Sequence, residues 1–462
     1  MTRKIITAMI ALAFATAASA NPVNLATARQ VASNFMQSHG MKHSEWNEIS
    51  APFGFSNIYV LNGSNGKCFV VVSAEDFARP VLAYSTENNF VINENTMDWL
   101  EGYEQSISQA RSANMQADAK TAEEWKSLLE NTYCEEKNTS VGPLLQTKWG
   151  QSQGFFNLFC PRSAIAGCVA VAMGQVMKYW SYPLHGTGSH SYYSSYARDT
   201  LRADFASATY LWDSMPLQKP GTVRNSDTAT AFLLYHCGIA IETEYSTSSS
   251  NAYVLRTGGH PYTAENALRM FFGYDSHLIG KLRSRFNDST WMSMVREELD
   301  NGRPVIYNGY NSSYAGGHCF VCDGYRENDY FSFNWGMYGS SDGYYLLSAM
   351  TPAAGQNFSY NQGGIFGVKP VHSVYINGTS PQLEVNVFPN PANDRIFLNI
   401  ADGKNESDYR CEIYDQSGKL LISNKMTSTD NSIDVKSLSS GIYNLKIMCK
   451  NGESAVKKII IR

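Results

Sequence analysis

In Ala164-Ile165-Ala166-Gly167-Cys168-Val169-Ala170-Val171-Ala172-Met173-Gly174-Gln175-Val176-Met177-Lys178-Tyr179-Trp180, apolar side chains recur at helical spacing. Val169, Met173, Val176, Met177 and Trp180 predict a helix with one face in a core. Cys168 falls in the first turn, where the positive end of the helix dipole favours a thiolate. Its neighbours Gly167, Ala170 and Ala172 are small and let a substrate approach. On this segment alone a buried structural cysteine is the competing reading.

Further along runs Tyr314-Ala315-Gly316-Gly317-His318-Cys319-Phe320-Val321-Cys322-Asp323-Gly324-Tyr325. Gly316 and Gly317 permit a tight turn and close approach of a substrate. His318 then starts a strand, with Phe320 and Cys322 on its own face and Cys319, Val321 and Asp323 on the other. The Cys319–Cys322 spacing is that of a zinc knuckle or redox pair. A strand points the two sulfurs to opposite faces and no second pair follows, so it reads as core filling. The stretch from Tyr307 to Gly317, mainly Gly, Ser, Asn and Tyr, reads as a mobile loop.

Tyr330-Phe331-Ser332-Phe333-Asn334-Trp335-Gly336 reads as a strand ending in a turn. Asn334 is a candidate to orient the His318 imidazole, and Trp335 to cover that contact from water. Lys148-Trp149-Gly150-Gln151 precedes the cysteine helix, and the Gln151 amide is a candidate donor to an oxyanion beside the Cys168 N–H. The order Gln, Cys opening a helix, His, then Asn-Trp is the papain-type order. In this logic His318 takes the thiol proton and Cys168 attacks a peptide carbonyl. His318 then protonates the leaving amine, and water releases the acyl-enzyme.

The whole chain has 462 residues, about three domains at roughly 150 residues each. With 43% hydrophobic and 17% charged residues it is neither disordered, collagenous nor coiled-coil. Lys+Arg of 37 against Asp+Glu of 41 gives net charge -4, so no basic excess meets nucleic acid. Nine cysteines, an odd number, form no dense disulfide framework. Arg3 and Lys4, the apolar run Ile5 to Ala18 and Ala18-Ser19-Ala20 read as a signal peptide over 1–20, which implies export.

Three blocks follow. Residues 21–137 hold a helix at Leu25 to Met36, two strands joined by Asn62-Gly63-Ser64-Asn65-Gly66, and a helix from Trp99 to Ser112. Ser112 to Asn138 is polar and reads as a helical or extended linker open to proteolysis. Residues 138–370 carry the Gln, Cys, His and Asn-Trp motifs. Residues 381–462 alternate in short strands separated by turns, as in a small all-β sandwich.

These motifs resemble those of the streptopain family of cysteine proteases. Gly167-Cys168-Val169-Ala170 with Met173 to Tyr179 and Tyr182-Pro183 is similar to its nucleophile region, with Val171 for Thr and Gly174 for Ala. Gly316-Gly317-His318-Cys319-Phe320-Val321-Cys322-Asp323-Gly324 resembles its G-G-H-A-F-V-x-D-G. Asn334-Trp335-Gly336 with Ser341-Asp342-Gly343-Tyr344-Tyr345 resembles a third motif, in which Met337 and Tyr338 replace Trp and Gly. The resemblance implies an α+β, papain-like catalytic domain with Cys168 and His318 as the dyad. It also implies a zymogen whose first block is an inhibitory, autocatalytically removed propeptide. The carriers there are Tyr59-Val60-Leu61-Asn62, Phe69 to Asp76 and Pro80 to Ser85.

The last block resembles the C-terminal sorting domain of type IX secretion substrates. Val387-Phe388-Pro389-Asn390-Pro391, Ile413 to Lys419, Leu438 to Tyr443 and Lys457 to Ile461 carry that likeness. It implies a secreted or cell-surface protein handled by an outer-membrane secretion machinery.

The expected function is therefore a secreted cysteine endopeptidase acting on broad protein substrates. The expected site is Cys168, His318, Gln151, Asn334 and Trp335, with Gly316 and Gly317 in a substrate loop. His185, His190, His260 and His277 show no ligand spacing, so no metal and no cofactor is expected. A non-enzymatic inhibitor or adhesin, and a transglutaminase-like acyltransferase using the same dyad, are the rival readings.

Overall fold

The computed structural model describes residues 21–41, 45–49, 54–134, 140–224, 227–256, 259–310, 317–326, 329–349, 362–371, 385–400, 409–415, 419–426, 432–449 and 454–462. The expected signal peptide over 1–20, residues 135–139 of the expected linker, and Gly316 lie outside them. No described helix is long and apolar enough to cross a membrane. The chain forms two compact units, Met1–Phe90 with Leu100–Glu135 and Ser348–Phe358, and Val91–Trp99 with Glu136–Leu347 and Ser359–Arg462.

In the first unit, α1 (Leu25–Ser38) buries Ala28, Val31, Ala32, Phe35 and Met36. Asn24 caps it by accepting from the Thr27 N–H at 2.9 Å. β1 (Trp46–Glu48), β2 (Ile58–Gly63), β3 (Phe69–Ser73) and β4 (Val81–Ser85) pair antiparallel in that order. β3 and β4 are buried at every position, which is why their sequences are runs and not alternations. α2 (Glu94–Ser112), which belongs to this unit from Leu100 onward, and α3 (Ala119–Leu129) follow.

The helix α3 lies in the stretch read as a helical or extended linker, and corrects that reading only in being docked and not open. Its charges Lys120, Glu123 and Lys126 face solvent while Thr121, Glu124, Trp125 and Leu128 are buried. Asp118 caps it by accepting from the Thr121 N–H at 2.7 Å. The Trp125 indole donates to the Ala78 carbonyl at 2.8 Å. Arg79 donates twice to the Glu124 carboxylate, at 2.7 and 3.0 Å, with both side chains buried. Four buried positions among eleven, one of them charged, left too faint an apolar stripe to read.

The second unit contains α4 (Cys168–Trp180), the hairpin β5 (Ser189–Ser194) and β6 (Asp199–Asp204), α5 (Ala229–Ala240), α6 (Ala264–Met270), β7 (Ile279–Leu282) and α7 (Asp288–Asp300). β8 (Val305–Tyr310), β9 (Gly317–Arg326), β10 (Tyr330–Asn334), β11 (Gly343–Leu346) and β12 (Gly363–Phe366) follow. Within this unit the strands pair antiparallel in the order β11-β10-β9-β8-β12-β7. α4 packs on β9 and α5, with Met173, Val176 and Met177 fully buried. This is an α+β, papain-like arrangement of a helix opened by cysteine against an antiparallel sheet.

Residues 307–310 belong to β8 and not to the expected loop. Tyr307 is fully buried; its hydroxyl accepts from the Trp291 indole at 2.8 Å and donates to Gln362 at 2.7 Å.

The last segment forms two antiparallel sheets around its own core, which includes Ile396, Leu398, Ile413, Ile433, Leu445 and Ile459. β13 (Val385–Phe388) and β14 (Arg395–Ile400) pair with the three-residue β17 (Ser432–Asp434). β15 (Tyr409–Tyr414), β16 (Leu420–Met426), β18 (Gly441–Cys449) and β19 (Ser454–Ile461) make the second sheet, in the order β16-β15-β18-β19.

The Arg79–Glu124 pair yields a stability test. Glu124→Ala takes away a buried carboxylate that accepts two hydrogen bonds from Arg79, and breaking such a buried pair costs about 3–5 kcal/mol. Urea denaturation of the full chain is expected to show that loss in the first transition, and a much smaller one for Arg79→Met with Glu124→Leu. A loss from Glu124→Ala below about 1 kcal/mol, typical of an exposed pair, would contradict this account of α3 docking.

Candidate active site

The segment leading into α4 is pinned before the helix starts. The Ile165 N–H donates to the Ser246 carbonyl at 3.0 Å, and the Ser250 hydroxyl donates to the Ile165 carbonyl at 2.7 Å. Gly167 then caps the helix at φ +89°, a region that favours glycine, and a Cβ there would lie 3.0 Å from the Ser250 carbonyl oxygen. It provides no capping side chain, so first-turn N–H groups remain available around Cys168.

Cys168 is half-buried and its thiol is free. Burial pushes its pKa up, outweighing the N–H groups of Cys319, Val169 and Cys168 itself, which favour the thiolate. The dipole argument from sequence is therefore overridden by desolvation in this state. His318 is buried, and its Nε2 donates to the Trp335 carbonyl at 2.9 Å. A proton on Nε2 leaves Nδ1 bare, and Nδ1 has no hydrogen-bond partner, so the Cys168 thiol makes no hydrogen bond to it. Burial lowers the His318 pKa to about 4, against the raising effect of the Trp335 carbonyl. Near neutral pH both groups are uncharged.

Cys168 and His318 nevertheless line one cleft of about 920 Å³, together with Cys319, Asn308, Tyr192 and Glu242. The strand register explains the imidazole's partner. Asn334 pairs with Val321, so its side chain lies on the Val321 face, opposite to His318 and Phe320. There Asn334 Oδ1 accepts from Gln175 Nε2 at 2.9 Å and from the Gly336 N–H at 3.1 Å, and Nδ2 donates to the Thr147 carbonyl at 2.7 Å. The expected Asn334–His318 contact is thus replaced by the main chain of the next residue. The Trp335 ring lies nearly parallel to His318, with centroids 5.9 Å apart, and is buried.

Gln175 is the residue that motif reading passed over. It sits two helical turns after Cys168, fully buried, and Oε1 accepts from the Trp149 N–H at 3.3 Å. The available signal was a polar residue on an otherwise apolar helix face. The carbonyl of Gln151 accepts from the Ala166 N–H at 2.8 Å, two residues before the cysteine. Its side chain is not among the residues lining the cleft. Tyr338 braces this loop. Its hydroxyl accepts from the Ser152 N–H at 2.9 Å, and its ring so crowds Gly150 that a Cβ there would sit 2.0 Å away. Gly317 opens β9. Among the described residues, no group of three or more His, Cys, Asp or Glu is arranged to hold a metal.

A cysteine-opened helix facing a histidine-opened strand defines a thiol peptidase, and the comparisons agree. Residues 149–345 match the Peptidase C10 family, 20–107 the Spi protease inhibitor and 386–462 the secretion system C-terminal sorting domain. Streptopain of Streptococcus pyogenes is 30% identical over 335 residues, covering 68% of this chain and 81% of its own. Thiol protease/hemagglutinin PrtT of Porphyromonas gingivalis is 28% identical, covering 68% of this chain and 37% of its own. A cysteine-to-alanine fragment of prointerpain A from Prevotella intermedia is similar in structure, with TM-score 0.58 and 30% identity, covering 71% of this chain and all of that one.

The chain belongs to the streptopain, or peptidase C10, family. It is a cysteine endopeptidase made as a zymogen with an N-terminal inhibitor domain. Its sorting domain marks it for export to the cell surface or medium.

Two measurements check this geometry. Gln175→Leu leaves the buried Trp149 N–H without its acceptor, at about 1–3 kcal/mol, and takes one of two donors from Asn334 Oδ1, which keeps the Gly336 N–H. It is expected to lower Tm and kcat together, and an unchanged Tm would contradict the link. In the intact Cys168→Ala chain, the His318 ring is expected by NMR to titrate near pH 4. With the folded pKa below the unfolded one, its contribution to stability is full above the ordinary histidine pKa of about 6.5 and falls as pH drops toward 4. A titration near 6.5 would contradict the buried, neutral assignment.

Proposed function

We propose that residues 1–20 are the signal peptide, 21–137 the inhibitory propeptide, 138–370 the catalytic domain and 381–462 the sorting domain engaged by the secretion machinery. In the released catalytic domain Cys168 is the nucleophile and His318 the acid–base partner for peptide-bond hydrolysis in a broad range of proteins. His318 Nδ1 takes the thiol proton while the Trp335 carbonyl holds Nε2. Cys168 attacks the scissile carbonyl. The Cys168 N–H and the Gln151 amide stabilise the oxyanion, and His318 protonates the leaving amine. Water then enters, His318 removes its proton, and the acyl-enzyme is released. Asn334 acts through Gln175 to position the strand end that carries the Trp335 carbonyl.

The observation that carries this reading is the shared cleft of Cys168 and His318, with the histidine aimed by one main-chain bond and its second nitrogen unoccupied. The own propeptide is the intramolecular inhibitor. What supports this is Trp99, which lies within the second unit although its sequence is in the proposed propeptide. Its ring meets Phe333, Phe320 and Trp335 edge-on at 4.9, 5.8 and 6.1 Å. Phe320 and Trp335 are also the rings that flank His318. Removing Trp99 frees that cluster to repack and lets the imidazole close on the thiol.

The test is a time course of the wild-type chain, Cys168→Ala and Trp99→Ala in reductant with casein. Wild type is expected to shorten to a core beginning near residue 140 and to degrade casein. Cys168→Ala stays full length, and Trp99→Ala shortens sooner than wild type. Casein surviving even after limited trypsin activation of wild type would refute the peptidase. Trp99→Ala activating no faster would refute the role of Trp99.

A further inference from the structure

Asn308, on β8, is 1% exposed, and neither its Oδ1 nor its Nδ2 has a hydrogen-bond partner. It lines the same cleft as Cys168, His318 and Cys319. Its strand neighbour on β9 is Cys319, so its side chain shares the face of Cys319 and not that of His318. On the other side it pairs with Gly363 of β12, and a Cβ built on that glycine would lie 3.1 Å from Asn308 Oδ1. The amide therefore overlies bare backbone, beside Cys319 and at the edge of the apolar core that includes Ile306 and Ile365.

An amide with both ends unsatisfied costs about 1–3 kcal/mol for each group, and buried polar side chains are rarely left so. An apolar residue would fit this position better in the free protein. The balance reverses when a ligand brings a donor and an acceptor side by side. A trans peptide group does not, because its N–H and C=O point in opposite directions. A methionine side chain brings neither, and a lysine brings donors only. A carboxylate brings acceptors only and meets the cleft carboxylates Glu242 and Glu244. A side-chain carboxamide matches Asn308 with two antiparallel hydrogen bonds.

We propose that Asn308 is a specificity-determining residue of the peptidase, binding the side-chain carboxamide of a glutamine or asparagine in the substrate. This rests on the proposed function of the cleft and names a substrate class for it. The amide gives discrimination because a substrate lacking the carboxamide leaves it buried and unpaired, whereas a substrate bearing one satisfies it.

The experiment uses the processed wild-type enzyme and Asn308→Leu, both matured from the full chain. The probes are quenched fluorescent peptides that differ at one position at a time among Gln, Met, Glu and Lys. At one position, wild type is expected to prefer Gln over Met and Glu by about tenfold or more in kcat/KM. Asn308→Leu is expected to invert the Gln/Met ratio there and to melt no lower than wild type, because no hydrogen bond is lost.

Three results would overturn the proposal: Met equal to Gln at every position, a Gln/Met ratio unmoved in Asn308→Leu, or a lower Tm for that variant, which would reveal a structural partner. Each leaves casein cleavage by wild type intact. Loss of casein cleavage by wild type would instead strike the peptidase reading on which the proposal rests.

Discussion

The hydrogen bond from His318 Nε2 to the Trp335 carbonyl depends on where β10 stops. The register with β9 shifts between Ser332 and Phe333, which returns Phe333 to the His318 face and sends Asn334 to the other. The chain then turns, and the next carbonyl reaches the imidazole. A main-chain acceptor cannot change rotamer, so the ring's tautomer is as fixed as the strand end. That end is held from behind by Asn334, bonded to the Thr147 carbonyl and to Gln175. One buried polar network thus ties α4, the segment before it and the end of β10 into a single frame.

Within this frame Cys168 and His318 share one cleft. A thiolate–imidazolium pair needs two charges that stabilise each other at short range. Here no hydrogen bond joins thiol and imidazole, and burial disfavours the charged form of each. Geometry and electrostatics reinforce one another: without that bond neither group offsets the other's desolvation, and without charge neither draws the other in. Latency of this kind requires no distortion of the helix or of the sheet.

Much of this was legible in the chain. The apolar stripe of α4 and the alternation in β9 are strong periodic signals, and both positioned the two reactive residues on their elements correctly. The β-sandwich strands were equally plain, apart from β17, which at three residues is too short to carry a pattern. What escaped reading has a common physical origin in long-range pairing. α3 is polar by composition, and its docking depends on Arg79, 45 positions away from Glu124. The partner of Asn334 depends on a register that sequence does not state. Gln175 belongs to a helix face that looked purely apolar, and its bond to Asn334 spans 159 positions. The dipole at Cys168 was read without the burial that outweighs it.

The measurement that tests the central claim most directly is the pH dependence of Cys168 alkylation by iodoacetamide. It would be followed by mass spectrometry in the intact chain and in the processed core. In the intact chain alkylation is expected to be slow at pH 5 to 7 and to rise only in alkaline solution, as for a neutral buried thiol. In the core it is expected to be fast already near pH 5, the signature of a thiolate held by imidazolium. Equal, fast alkylation of both forms at low pH would contradict the account, because the pair would then be charged and in contact before the propeptide leaves.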